Sequence, residues 1–206
     1  MRRVVRYVPA GREIAEPVTK LSGQPVWLET PQWPISASRN RQMPFVGQFR
    51  LDDGTGEPRL AYVFMSDENI WDIEDEQNDD WDPDADDEDE VDEDEVGDTF
   101  DPEGGENAVI IQPGGRVPSF VTVRPIRTGP VFKDDHLPED VPAADEESWQ
   151  FLGGEPRWLQ HPEPPGAGWR FVGQMTDDLG HNFGDGGIAY LFVSPDGAEG
   201  RFLWQC

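Results

Sequence analysis

The sequence predicts a mainly β protein, with room for a little helix in an α+β variant, built from two copies of one Trp-anchored unit. Three observations predict it. Twenty Pro and twenty-two Gly in 206 residues interrupt long helices and favour strands joined by turns. Eight Trp and eleven Phe supply enough large apolar surface for a packed interior at this length. The third observation is that the chain repeats itself in ordered blocks.

The first block is Leu21-Ser-Gly-Gln-Pro-Val-Trp-Leu28 with Pro31, matched by Leu152-Gly-Gly-Glu-Pro-Arg-Trp-Leu159 with Pro162. Its invariant part is Gly23, Pro25 and Trp27 in one copy and Gly154, Pro156 and Trp158 in the other. Proline fixes its own φ and pushes its predecessor into extended backbone, so the block reads as a turn feeding an extended segment. The Trp is expected to be a buried anchor rather than a platform for a ligand. The second block, Phe45-Val-Gly-Gln48, returns as Phe171-Val-Gly-Gln174. The third, Ala61-Tyr-Val-Phe64 with Ser66, returns as Ala189-Tyr-Leu-Phe192 with Ser194. Both third blocks are apolar on both faces, which predicts central strands.

A unit of this size cannot bury its own apolar face, so the copies are expected to pack together with pseudo-two-fold symmetry. The organisation is then one compact domain over residues 1–206. It comprises a first copy at 18–66, an insertion at 67–106, intervening strands and a connector at 107–148, and a second copy at 149–206. Within the intervening part, 107–112 and 119–124 read as two strands around a Pro-Gly-Gly turn that extend the same sheet. Residues 133–147 read as a polar connector with a helical turn at most. Gly200 to Cys206 reads as a final strand.

The net charge of −27 is local. Residues 67–106 hold 23 of the 43 acidic residues and no Lys or Arg, leaving 20 acidic against 16 basic residues elsewhere, a net of −4. Nothing resembles a basic face, so direct nucleic-acid binding is not expected. Fourteen of the 20 positions from Asp79 to Asp98 are acidic, a composition with strong self-repulsion and little to bury. Inside this run, Asp82, Asp84 and Asp86, with Glu93 twelfth from Asp82, have the oxygen-ligand spacing of a calcium loop. Asp87 stands where such a loop requires Gly, and Asp89 where it requires an apolar anchor. Calcium is therefore the alternative expectation and diffuse cation condensation the main one. No cofactor is expected.

The single cysteine, Cys206, excludes a disulfide framework or a Cys-rich zinc site within one chain. No apolar stretch approaches membrane-span length, and Met1-Arg-Arg-Val-Val-Arg has no apolar segment after its charges. A cytoplasmic protein is expected. No nucleophile elbow, phosphate loop, His-Glu-x-x-His or dinucleotide fingerprint occurs. His136, His161 and His181 are scattered. His181 adjoins the loop Asn182-Phe-Gly-Asp-Gly-Gly187, whose Gly184, Asp185 and Gly187 suggest either a general base or a turn in which Asp185 accepts backbone N–H bonds. The turn is the favoured reading. For Gln48 and Gln174, a buried amide satisfying backbone groups where the other copy's strands meet is favoured over a functional role.

Taken together, these motifs resemble the YwqG-like family of bacterial proteins, over residues 18–66 and 149–206. The residues that carry the resemblance are Leu21 to Leu28, Phe45 to Gln48, Leu60 to Met65, Gly154 to Gln160, Phe171 to Gln174, Phe183 to Gly187, Ile188 to Val193 and Gln205-Cys206. Phe183 stands where the family pattern has Trp. The first-half pattern is also similar to that of the programmed-cell-death-two proteins. The resemblance implies a β-rich duplicated fold, no established catalytic residues, and a role in escorting or neutralising a basic protein. The expectation is a non-enzymatic protein-binding module, with calcium binding as the alternative and an enzyme around His181 and Asp185 as the third reading.

Overall fold

The computed structural model describes residues 2–51, 54, 56–67, 101–141 and 148–206. These form twelve strands, and among the described residues there is no helix. The strands are β1 (Arg3–Pro9), β2 (Lys20–Leu21), β3 (Trp33–Ile35), β4 (Phe45–Arg50), β5 (Leu60–Met65), β6 (Asn107–Gln112), β7 (Thr122–Arg124), β8 (His136–Asp140), β9 (Phe151–Leu152), β10 (Arg170–Thr176), β11 (Ile188–Val193) and β12 (Gly200–Gln205). Ten of them make one antiparallel sheet in the order β12-β11-β10-β9-β1-β8-β2-β4-β5-β6. Matched strands of the two copies stand equally far from the two edges: β4 and β10, β5 and β11, β2 and β9. The sheet curls into a near-barrel. Its edge strands β6 and β12 pack together so closely that a Cβ on Gly200 would lie 2.2 Å from Val109 Cγ1.

Strand alternation explains the core. Ala61, Val63 and Met65 of β5 and Ala189, Leu191 and Val193 of β11 point inward to one shared cluster, with Val109, Phe183 and Phe202. The opposite faces of the same strands fill two outer clusters. Leu60, Tyr62 and Phe64 join Trp33 and Phe45 on one side, and Ile188, Tyr190 and Phe192 join Phe151 and Phe171 on the other. Both strands are therefore buried along their whole length, as their composition predicts.

β4 and β10 carry the same irregularity. Each shifts register between its Phe and its Gly, Phe45/Gly47 in one and Phe171/Gly173 in the other. The glycine is required there by close approach. A Cβ on Gly47 would sit 2.6 Å from Leu21 Cδ2, and one on Gly173 would sit 2.9 Å from Leu152 Cδ2.

Two expectations for the middle of the chain are corrected. β7 does not pair with β6 around a Pro-Gly-Gly turn; it pairs with β3 in a separate two-stranded sheet. Residues 136–140 are a strand, not a connector with a helical turn, and lie at the centre of the large sheet against β1. At the two ends of the insertion, Asp67 and Glu106 are buried in the body. Beside β8, Lys20 is fully buried and ion-paired to Asp135, and its Nζ also donates to Gln24 O at 2.7 Å. Asp135 in turn accepts from Ile14 N at 3.1 Å, so the pair ties the segment before β2 to the start of β8.

Candidate functional site

The repeated glutamines are structural in both copies, and their bonds match position for position. Gln48 Oε1 accepts from Val26 N at 2.9 Å and its Nε2 donates to Val18 O at 2.9 Å. Gln174 Oε1 accepts from Arg157 N at 2.9 Å and its Nε2 donates to Trp149 O at 2.8 Å. Each amide therefore satisfies the turn of its own copy, and not the strands of the other as expected. The tyrosines do likewise. Tyr62 Oη donates to Val26 O and accepts from Leu28 N; Tyr190 Oη donates to Arg157 O and accepts from Leu159 N.

A second pair of glutamines completes the pattern, and the sequence comparison did not align it. Gln112, at the end of β6, accepts from Glu29 N and donates to Thr30 O and to Gln32 Oε1. Gln205, at the end of β12, accepts from Gln160 N and donates to His161 O and to Glu163 Oε2. The shared signal in Asn-Ala-Val-Ile-Ile-Gln and Gly-Arg-Phe-Leu-Trp-Gln is the final residue alone.

Trp27 and Trp158 occupy matching positions but are half-buried rather than core anchors. Trp27 lies over Tyr62 (4.8 Å) and Phe64 (6.1 Å), and Trp158 over Tyr190 (4.6 Å) and Phe192 (5.8 Å). Gly23 and Gly154 precede them with φ of +60° and +78°, and Pro25 and Pro156 extend the chain between. A Cβ on Gly23 would strike the Asp135 carboxylate, 2.2 Å from its Oδ1.

His181 and Asp185 share a loop but not an environment. His181 is 2% exposed, packed edge-on to Phe132 at 4.5 Å and stacked on Phe183 at 5.5 Å. Neither ring nitrogen has a hydrogen-bond partner among the described residues. Burial, reinforced by the positive charges of Lys133 and His136, pushes its pKa down to about 3. Asp185 is exposed at the turn between Gly184 and Gly187, where Gly187 N donates to Gly184 O. The side chain that accepts a backbone bond in this loop is Asn182, whose Oδ1 takes Gly184 N at 3.1 Å. The expected role of Asp185 is thus played three residues earlier in the chain.

A cleft of about 940 Å³ lies at the seam between the copies. Its apolar lining includes Ile14, Leu51, Leu137, Leu152 and Val172, and four arginines surround it, Arg3, Arg12, Arg50 and Arg170. Arg3 is ion-paired to Asp140 and Arg12 to Glu16. Arg50 and Arg170 have no ion pair among the described residues. Such a cleft can seat an apolar group that carries an anion.

Asp82, Asp84, Asp86 and Glu93 lie outside the described residues. Among the described residues no group of three or more His, Cys, Asp or Glu is placed to hold a metal, and no helix is long and apolar enough to cross a membrane. The two ends of the acidic insertion are held together. Met65 pairs with Asn107, Ser66 N donates to Glu106 O at 2.7 Å, and the buried Glu106 carboxylate accepts from Ser36 Oγ (2.8 Å), Ser66 Oγ (2.5 Å) and Ser38 N (2.7 Å). The chain matches no protein-family model, no curated protein and no solved structure.

Proposed function

We propose that this chain is a non-enzymatic protein-binding module that engages a basic protein through its acidic insertion, escorting or neutralising it. The observation that supports this reading most is the anchoring of the insertion. A segment holding 21 of the protein's 43 acidic residues starts and ends at adjacent points of one strand pair, fixed by Glu106. A near-neutral body thereby carries a concentrated negative charge at one place, an arrangement that steers a cationic partner. The polar groups inside the sheet support the same reading, since Gln48, Gln112, Gln174 and Gln205 are all committed to backbone bonds. The resemblance to the YwqG-like family belongs to this proposal.

The test is capture from a cell extract at low and physiological salt with the intact chain and with a variant lacking residues 82–98. Enrichment of basic proteins by the intact chain alone, weakening with salt, supports the proposal. Equal capture by both variants overturns it. Titration with Ca²⁺ separates the calcium alternative. A stoichiometric site abolished by Asp82→Ala or Glu93→Ala establishes that alternative instead.

A further inference from the structure

We propose that the second copy carries an open docking slot for a tryptophan-bearing segment of another polypeptide, in the place that the first copy fills with its own Trp33. The correspondence of the two copies extends beyond Trp27 and Trp158. Gln112 bonds Thr30 O and Gln32 Oε1, while Gln205 bonds His161 O and Glu163 Oε2, so residues 30 and 32 stand for 161 and 163. The next position is Trp33 in the first copy and Pro164 in the second.

Trp33 is wholly buried, 6.2 Å from Trp27 and 5.2 Å from Phe64, and its Nε1–H donates to Met43 O at 2.9 Å. Pro164 is exposed. Beside Pro164 the second copy has a pocket of about 470 Å³, bordered also by Pro162 and the half-buried Trp169. Trp158, Phe171 and Phe192 line it, and they match the Trp27, Phe45 and Phe64 found in the first copy's cluster. The volume falls in the range of ligand sites.

The first copy shows what the slot accepts: an extended Trp-Pro strand, indole inward, its N–H directed at a backbone carbonyl. The carbonyl matching that of Met43 is Trp169's, since Phe45 corresponds to Phe171. Arg170 and Glu155 also line the slot, and neither is ion-paired among the described residues. They call for an acidic residue on one flank of the docked tryptophan and a basic one on the other. The slot lies on the outer face of the second copy, so this inference stands independently of the acidic insertion.

The probe is a fluorescein-labelled peptide copying residues 30–36, Thr-Pro-Gln-Trp-Pro-Ile-Ser, titrated with the full chain and followed by anisotropy. Saturable binding is expected, with roughly thirty-fold loss when the peptide Trp becomes Ala, the scale of losing an aromatic anchor. Pro164→Trp fills the slot from within and is expected to abolish peptide binding while keeping or raising the melting temperature. A double-labelled NMR titration provides the second measurement, with shifts expected at the Trp158 and Trp169 indole N–H signals. An Ala peptide that binds as well as the Trp peptide overturns the proposal, as does undiminished binding by a folded Pro164→Trp chain. So does concentration-dependent self-association of the intact chain that Pro164→Trp removes, which would make the occupant a second copy.

Discussion

Replacing His181 with phenylalanine removes a titratable group from a site that offers it nothing to bond. The imidazole lies between Phe132 and Phe183 with both nitrogens unpartnered among the described residues, and its folded-state pKa is about 3 against an ordinary 6.5. Because the folded value is depressed, the unfolded chain takes up the proton first. The contribution of the neutral ring is fully present above 6.5, declines as pH falls below it, and is gone once pH has passed through the folded value. The gap corresponds to about 5 kcal/mol over the whole window and about 2 kcal/mol between pH 7 and pH 5. Phenylalanine has similar shape and no protonation step. His181→Phe is therefore expected to match or exceed the wild type at pH 7 and to lose about 2 kcal/mol less on acidification to pH 5. Urea denaturation of both proteins at the two pH values measures this, and the carboxylates common to both cancel in the difference. Stability curves that fall in parallel, within about 0.5 kcal/mol, would refute the reasoning and show that the ring reaches solvent or a partner.

Lys20→Met leaves Asp135 as a buried carboxylate without its cation and is expected to cost about 3–5 kcal/mol in denaturant midpoint analysis, whereas exposed Arg116 paired to Asp196 is expected to tolerate Ala with under about 1 kcal/mol lost. Gln48→Leu and Gln174→Leu each remove the partners of one part-buried N–H and one part-buried C=O, so each is expected to cost about 1–2 kcal/mol, with the two losses alike because the bonds are alike; a several-fold disparity between them would contradict the equivalence. Trp33→Ala is expected to lose about 3–5 kcal/mol, the range for a buried aromatic, and the half-buried Trp27→Ala about 2 kcal/mol, an order that calorimetric melting checks. Deletion of residues 82–98 is expected to leave the melting temperature unchanged or slightly raised through reduced self-repulsion, and an unfolded product would show that the insertion belongs to the core.

What the sequence revealed followed from patterns confined to short windows. Leu60–Met65 and Ile188–Val193 were legible as central strands because both faces are apolar, and the Gly-x-Pro-x-Trp blocks were legible because their residue types force a turn. The strand at His136–Asp140 was hidden by Pro138 and its acids. At the seam it needs few buried side chains, and Tyr7 opposes that proline across the ladder. The third matched strand, β6 with β12, shares only a final glutamine, since inward packing specifies volume and not identity. In the loop at 182–187, composition showed a turn with a polar acceptor, but the choice between Asn182 and Asp185 depends on which side chain faces Gly184. Burial of His181 came from Phe132, about fifty residues away, which no local pattern reports. The exchange of Trp33 for Pro164 follows from the offset that matches Pro31 with Pro162, but only the folded chain shows Trp33 buried and Pro164 exposed.

The meeting of β6 and β12 limits how a partner can bind. Many β domains recruit peptides by adding a strand to an open margin, using main-chain hydrogen bonds that are indifferent to side chains. Here the margins of the large sheet pack side by side through Val109 and Gly200, with no ladder of main-chain hydrogen bonds between them, so an added strand would have to displace that contact. The same packing shields both edges from edge-to-edge aggregation. That packing favours recognition through side chains and pockets, which is selective, and changes at single surface residues can retarget it without disturbing the backbone ladder.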